Sequence, residues 1–395
     1  MATSAETIFE ASVLLADARG RTDLEDFGDD DFLEPMRRLL AALEEEARLS
    51  EMGRVIQYER MIGLLVNRLR TEEEIRRHPE ILAASIERPL AVVGLGRTGT
   101  TMLHRTIASD PRMFALLWYE SRNPAAFPVA GPGAGDGPDP RIADAEAEVQ
   151  MMLDASPDLI AAHPMDAHAP DEEIMLLEHA FVSGNPEAFC NLPVFARWLE
   201  DYDARPGYAY LKRLLKLVQW QKRCRGEPGE RWVLKTPHHL GFLDVFFEIF
   251  PDARVVLTHR DPVQTIPSMA SLIHAIRVLN SDDVDPVEIG RQWSGRLVRM
   301  MDRCMDVHEK YPERFLDLHY EDLVADPMAQ VRRIYDFIGM PLTAEAETCM
   351  REWAVENTRD RRPVHSYTLE QFGFTEEGLR SDFARYRKRF FDRAD

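Results

Sequence analysis

The chain has 395 residues, 45% of them hydrophobic and 29% charged, so it is long enough to bury one large core or two ordinary ones. Its formal net charge of −20 argues against a nucleic-acid partner and against binding to an anionic membrane surface. The four cysteines have no C-x-x-C spacing, no apolar run reaches membrane-span length and the first residues lack signal-peptide features, which together predict a cytoplasmic protein without a transmembrane segment.

The first half of the chain predicts helices, then the start of a sheet. Residues 1–88 carry leucines and methionines at helical spacing and are expected to be helical. Residues 90–94 predict a short buried strand, a helix follows from Thr100, and residues 114–119 predict a second strand. The glycines and prolines of residues 128–140 predict a loop that opens a helical insert extending to about residue 230.

The second half of the chain returns to strands that alternate with helices. Strands are predicted at 232–235, 253–258 and 315–319, and helices at 240–250, 327–339 and 378–391. This alternation indicates an α/β fold with a mostly parallel sheet flanked by helices. We divide the chain into an N-terminal helical region at 1–88, an α/β domain at 89–340 with its insert at about 128–230, and a C-terminal helical tail at 341–395.

A glycine-rich turn follows the first strand and fits two nucleotide-binding motifs. Gly94, Gly96 and Gly99 give the G-x-G-x-x-G of dinucleotide enzymes, with Glu120 about twenty residues on as the ribose ligand. The same turn also fits a P-loop in which Thr100 replaces the lysine. The first interpretation predicts an NAD(P)-dependent oxidoreductase. The second predicts a loop that holds an anion on backbone N–H groups at a helix start.

The P-loop interpretation needs other groups to replace the missing lysine and metal ion. Arg97 at the loop tip and the hydroxyls of Thr100 and Thr101 supply a cation and donors, and no strand-end aspartate offers a second metal ligand. A nucleoside triphosphate with Mg²⁺ fits this loop poorly. A single 5′-phosphate that carries a transferable group fits better, and no metal is required.

Two segments together resemble sulfotransferases that use 3′-phosphoadenosine-5′-phosphosulfate (PAPS). Residues 94–101, Gly-Leu-Gly-Arg-Thr-Gly-Thr-Thr, resemble the 5′-phosphosulfate loop of that family. Residues 253–268 resemble its 3′-phosphate motif, a strand that ends in Arg260 with Ser268 eight residues later. The resemblance implies a P-loop-like fold, PAPS as co-substrate and 3′,5′-adenosine bisphosphate (PAP) as product. It assigns nucleotide binding to Gly96, Arg97, Thr98, Gly99, Thr100, Thr101, Arg260 and Ser268.

The resemblance runs from about residue 89 nearly to the end of the chain. Residues 232–240 look like the segment that brings a lysine, here Lys235, to the transferred group, and Tyr320 follows in a shared segment near the nucleotide. The loop tip has arginine, as it does in Golgi tyrosyl-protein sulfotransferases and several bacterial members. Cytosolic mammalian members have lysine at this position. The tail resembles that of a bacterial branch, which implies nucleotide closure by Arg361, Arg362, His365 and Tyr367.

The resemblance also implies the reaction, the in-line transfer of a sulfuryl group to a hydroxyl of a small molecule, lipid or carbohydrate. Arg97 and Lys235 are the candidates to stabilise the leaving phosphate. Glu120 is the first candidate for the general base, because it sits where tyrosyl-protein sulfotransferases have their catalytic glutamate. A nucleotide-binding relative without activity stays an alternative. The other candidates for the base or acceptor contacts are His163, His168, Glu173 and His238.

Overall fold

The computed structural model describes residues 8–127, 137–155, 165–357 and 367–392. Within these ranges, five strands form one sheet in the order β2-β3-β1-β4-β5, and all neighbouring strands are parallel. This arrangement, with helices between the strands, confirms the predicted fold class. The strands are β1 Leu90–Gly94, β2 Met113–Phe114, β3 Arg231–Lys235, β4 Arg254–His259 and β5 Phe315–His319.

Strand β1 is central and is buried along its whole length. Its register pairs Val92 with Lys235 of β3, and Gly94 with Thr258 of β4. Because these strands run in the same direction, their carboxyl ends lie at one edge of the sheet. The glycine-rich turn, Lys235 and the residues that follow β4 therefore start from the same edge.

The two faces of the sheet carry separate apolar clusters, as expected for strands buried on both sides. Ala91 and Val93 point to one cluster, and Leu90 and Val92 point to the other. The first cluster also contains side chains of the N-terminal helices, so the apolar core extends across residue 88. Its N-terminal members include Leu14, Leu40 and Leu65.

Helices cover both faces of the sheet. The first part of the chain forms α1 Ala11–Thr22, α2 Leu33–Glu45, α3 Glu51–Arg77, α4 Glu80–Ala83, α5 Thr100–Ala108, α6 Trp118–Arg122 and α7 Pro140–Ala155. Before β4 follow α8 Ile174–Glu178, α9 Asn185–Phe189, α10 Pro193–Asp201, α11 Arg205–Cys224 and α12 Leu243–Ile249. The remainder are α13 Pro262–Arg277, α14 Pro286–Lys310, α15 Tyr320–Ala325, α16 Pro327–Ile338, α17 Ala344–Glu356, α18 Glu376–Asp382 and α19 Ala384–Phe390.

Three predicted elements differ in the structure. The helix predicted at 378–391 is divided at Phe383 into α18 and α19. The strand predicted at 114–119 pairs only through Met113–Phe114, and the chain then turns into the short helix α6. The helix predicted at 240–250 is divided into the 3₁₀ turn Pro237–Gly241 and α12. Most of the loop predicted at 128–140 lies outside the described residues. None of the helices in the described ranges is long and apolar enough to cross a membrane.

Candidate functional site

The turn after β1 is held in a tight conformation by backbone geometry and hydroxyl bonds. Arg97 and Gly99 both have left-handed backbones, with φ of 71° and 88°. The Thr98 hydroxyl donates to the carbonyl of Leu95 at 2.7 Å and lies 2.6 Å from the Thr258 hydroxyl of β4. The turn then enters α5, whose first N–H groups have no partner within the helix. This geometry suits an anion-binding loop.

The glycines in this turn are required by crowding as well as by conformation. A Cβ on Gly94 would lie 2.3 Å from the Thr258 hydroxyl oxygen, which no real side chain tolerates. A Cβ on Gly99 would lie 3.2 Å from the ring of Tyr320, on a backbone that L residues rarely adopt. The loop is thus packed directly against β4 and against the start of α15.

Arg260 follows β4 and its side chain reaches back to the loop. Its Nη1 donates to the carbonyl of Arg97 at 3.0 Å, and its Nε donates to Gln264 Oε1 at 3.0 Å. The guanidinium lies 4.1 Å from the ring centre of Tyr320. Three predicted nucleotide-binding residues from three separate segments therefore meet at one place. Ser268 is buried in the second turn of α13, which begins two residues after Arg260.

One residue of the predicted closing tail reaches the same region. The Tyr367 hydroxyl lies 3.5 Å from the backbone carbonyl of Gln264, whose side chain contacts Arg260. The other tail candidates, Arg361, Arg362 and His365, lie outside the described residues.

Lys235 ends β3 and is almost fully buried. Its ammonium is ion-paired with Glu172, and its backbone N–H donates to Glu173 Oε2 at 2.7 Å. Both glutamates arrive on a segment that runs antiparallel to the chain after β2, bridged between Leu117 and Pro170. Sequence reasoning did not identify Glu172; its only signal was the acidic run at 171–173.

Glu173 belongs to a buried chain of polar groups. Its Oε1 accepts a hydrogen bond from His239 Nε2 at 2.7 Å, and His239 Nδ1 accepts one from the Tyr208 hydroxyl at 2.8 Å. Burial raises the pKa of Tyr208 well above its usual range, so the hydroxyl keeps the proton that it donates. Burial opposes ionisation of Glu173, but bonds from His239 and Lys235 hold its pKa below the usual range. Through its bonds to the Lys235 N–H and to His239, Glu173 fixes the end of β3.

His238 is a buried histidine with unused hydrogen-bonding capacity. It is 3% exposed, and neither ring nitrogen has a hydrogen-bond partner in the described part of the chain. Its ring stacks on Phe242 with centroids 4.8 Å apart. Burial, with a smaller contribution from His239, lowers the pKa of His238 to about 3. At neutral pH it is therefore an uncharged imidazole with one nitrogen lone pair to offer.

Glu120 occupies a different environment from the strand end expected for it. It lies in α6, fully buried, and its Oε2 accepts from the backbone N–H of Leu117 at 3.0 Å. Lys222 Nζ lies 2.9 Å from Oε2, and Arg225 Nη2 lies 2.7 Å from Oε1. Both carboxylate oxygens therefore contact cations from the end of α11.

The predicted cluster of His168 and Glu173 does not form. The His168 side chain is 58% exposed and lies 3.3 Å from Glu146, whereas Glu173 is completely buried against His239. Spacing along the sequence suggested a shared site, but the chain turns between the two residues and buries only the second. His163 lies outside the described residues. Among the described residues, no group of three or more histidine, cysteine or acidic side chains is arranged to hold a metal ion.

Comparisons with known proteins identify the family to which the chain is similar. The model of the sulfotransferase family matches residues 89–344. The omega-hydroxy-beta-dihydromenaquinone-9 sulfotransferase Stf3 of Mycobacterium bovis is 25% identical over 303 residues, covering 73% of this chain and 72% of that protein. The structure of sulfotransferase STF1 from Mycobacterium tuberculosis H37Rv is 32% identical with a TM-score of 0.83, covering 95% of this chain and 98% of that one. STF9 from Mycobacterium avium is 30% identical with a TM-score of 0.85, covering 98% of each chain.

The matched model spans more than half of the chain, and the two mycobacterial structures match almost all of it. The chain therefore belongs to the sulfotransferase family, and it has the family's P-loop-like fold.

Proposed function

We propose that the protein transfers a sulfuryl group from PAPS to the hydroxyl of a small molecule, lipid or carbohydrate. The observation that carries this proposal is the convergence of three cationic residues, Arg97, Lys235 and Arg260, on the carboxyl edge of strands β1, β3 and β4. The loop after β1 fits a 5′-phosphosulfate, and Arg260 fits a 3′-phosphate dianion. A nucleotide with both a 5′- and a 3′-phosphate therefore suits these hydrogen-bond donors and cations.

In the proposed reaction, the acceptor oxygen forms a bond to sulfur while the bond between sulfur and the bridging oxygen of PAPS breaks. PAP leaves with the bonding electron pair, so negative charge builds on its 5′-phosphate. In this proposal Arg97 and Lys235 stabilise that charge. The acceptor proton passes to a general base, and the products are the sulfate ester and PAP. The chain's residues perform these roles without a metal ion in this proposal.

We propose His238 as the base, with Glu120 as the alternative. A base needs an unprotonated atom directed at the acceptor hydroxyl, and His238, three residues after Lys235, has ring nitrogens without a hydrogen-bond partner among the described residues. Both Glu120 oxygens already contact Lys222 or Arg225, so neither is available to face an acceptor hydroxyl. Glu120 is better suited to fixing α6 against α11.

The proposal defines the acceptor by its reacting group, a hydroxyl. The relative Stf3 is named for an omega-hydroxylated dihydromenaquinone, so a hydroxylated lipid belongs in any acceptor panel. The dinucleotide alternative loses its ribose ligand, because Glu120 is engaged by two cations. A relative that binds the nucleotide without turnover is distinguished by activity alone.

The test combines binding and turnover on the whole chain. Calorimetry should detect PAP binding and no comparable NADP⁺ binding, and mass spectrometry should detect sulfated products from PAPS and a panel of phenols, sugars and hydroxylated lipids. Arg97→Ala and Lys235→Ala should each lower turnover about 10²- to 10³-fold. Arg37→Ala, on an exposed face of α2, is the matched control and should keep full activity. Tight NADP⁺ binding without PAP binding would falsify the proposal.

A further inference from the structure

The C-terminal helix α19 is anchored to both residues that flank Arg260. Before Arg260, the imidazole of His259 lies 3.0 Å from the Tyr386 hydroxyl through Nδ1. After it, the carboxylate of Asp261 forms an ion pair with Arg387. One short helix, more than 120 residues away in the sequence, thus holds both neighbours of Arg260 at the end of β4.

His259 is further fixed by a buried chain of polar groups. Its Nε2 lies 2.9 Å from Asp317 Oδ1 of β5, and the other oxygen of Asp317 lies 3.1 Å from His308 Nε2 of α14. The His259 ring is fully buried and stacks on Phe390 of α19 with centroids 4.0 Å apart. Hydrogen bonds on both nitrogens and a stacked face leave the imidazole one orientation.

These contacts set where the Arg260 side chain begins. The residues on either side of it cannot shift without breaking a buried hydrogen bond or an ion pair, so its Cα and side-chain direction are fixed. From that point the guanidinium reaches the carbonyl of Arg97 and lies over Tyr320. A helix that only covered the core would need apolar side chains alone, whereas α19 presents Tyr386 and Arg387 to the segment that carries Arg260.

We propose that Tyr386 and Asp317 are positioning residues that aim Arg260 at the 3′-phosphate of the nucleotide. The inference rests on the proposed function, since it assumes that Arg260 binds that phosphate. Tyr386 and Asp317 both act through His259, which each of them contacts on a different ring nitrogen. Neither residue needs to touch the nucleotide. The C-terminal tail therefore contributes to nucleotide selection through the protein interior.

Two probes separate positioning from general stability. PAP carries both phosphates, and adenosine 5′-phosphate lacks only the 3′-phosphate, so the ratio of their dissociation constants reports on the 3′-phosphate contact. Arg260→Ala sets the scale and should weaken PAP binding about 100-fold with little effect on adenosine 5′-phosphate. Tyr386→Phe and Asp317→Asn should each weaken PAP about 3- to 10-fold and adenosine 5′-phosphate less than about 2-fold.

Tyr335→Phe is the matched control. It removes another buried tyrosine–aspartate hydrogen bond, 2.7 Å from its hydroxyl to Asp110, on the other face of the sheet. It should lower thermal stability as much as Tyr386→Phe does and leave the ratio unchanged. If Tyr386→Phe fails to fold, Arg387→Gln is the second variant. It removes the ion pair with Asp261, the other contact between α19 and the residues that flank Arg260.

Each outcome is decisive. A selective loss of PAP affinity in Tyr386→Phe and Asp317→Asn supports the positioning role. Equal weakening of both nucleotides, or no weakening, overturns it while Arg260→Ala still discriminates. If Arg260→Ala itself does not change the ratio, the proposed nucleotide site is wrong and the positioning role falls with it.

Discussion

Lys235 and Glu172 form an ion pair at the carboxyl end of β3. The lysine side chain is 4% exposed and the glutamate 18% exposed, so the pair is shielded from most of the solvent. In the proposed reaction the same ammonium stabilises negative charge on the donor. Glu172 and the donor are therefore alternative partners for one cation.

We expect Glu172→Gln to raise PAP affinity about 3- to 10-fold, because the neutral amide no longer competes for the ammonium. Calorimetry at a fixed salt concentration measures the change. In a Lys235→Ala background the same substitution should have no effect, which shows that the two residues act through each other. Weaker binding in Glu172→Gln alone would show instead that the glutamate orients the lysine for the donor.

The choice of base predicts opposite results for two substitutions. His238→Gln should lower kcat about 10²- to 10⁴-fold with little change in PAP affinity. Glu120→Gln should lower thermal stability, because Lys222 and Arg225 lose a buried partner, while the folded enzyme keeps kcat within about 10-fold. Exposed His168→Gln is the control. An inactive but fully stable Glu120→Gln variant would indicate that Glu120 is the general base instead.

The low pKa of His238 makes it a source of acid instability. Its pKa falls from 6.5 in the unfolded chain to about 3 in the folded one, so the unfolded state binds more protons between these values. Stability is therefore lost as the pH falls below 6.5. Between pH 7 and pH 5, this difference in proton binding lowers the free energy of unfolding by about 2 kcal/mol. Chemical denaturation at both pH values measures this decrease in the free energy of unfolding. The decrease should be smaller by that amount in His238→Leu, and an equal decrease in the variant and the unsubstituted protein would contradict a buried, neutral histidine.

The left-handed backbone of Gly99 predicts that alanine is not tolerated there. Gly99→Ala should cost about 1–2 kcal/mol and weaken PAP binding, because the loop must move away from Tyr320. Gly63→Ala is the matched control within α3, where an added Cβ meets nothing within 4 Å. That variant should gain up to about 1 kcal/mol and bind PAP normally. Denaturant titration and calorimetry of the two variants measure both effects.

The strands that carry the donor residues were predictable because their signals are local. β1, β3, β4 and β5 are short runs of apolar residues bounded by turns, and the loop after β1 contains its glycines and arginine within one motif. The error at 114–119 is also local in origin. Its apolar pattern suits a strand, but the Glu120 carboxylate accepts the Leu117 N–H and starts a helix instead.

The buried contacts of Glu173 and Glu120 were not predictable to the same degree. Glu173 and His239 are 66 residues apart, and only the folded chain places them 2.7 Å apart. Likewise, Glu120 meets Arg225 across 105 residues. No spacing in the sequence separates a histidine that will be exposed, such as His168, from one that will be buried, such as His238.

The order of the strands has a consequence for how such enzymes diversify. The chain leaves β2 and returns to β3, its neighbour in the sheet, so the insert between them does not interrupt the pairing of β1 with β4 or of β4 with β5. The loop after β1, Arg260 and Tyr320 belong to β1 and to strands on the opposite side. Residues 115–230 therefore form a segment that can differ between relatives without a change in the order of the strands. A chimera that takes this segment from a relative should inherit that relative's acceptor preference, and it should keep its own nucleotide affinity only where the new segment retains the Glu172 partner of Lys235.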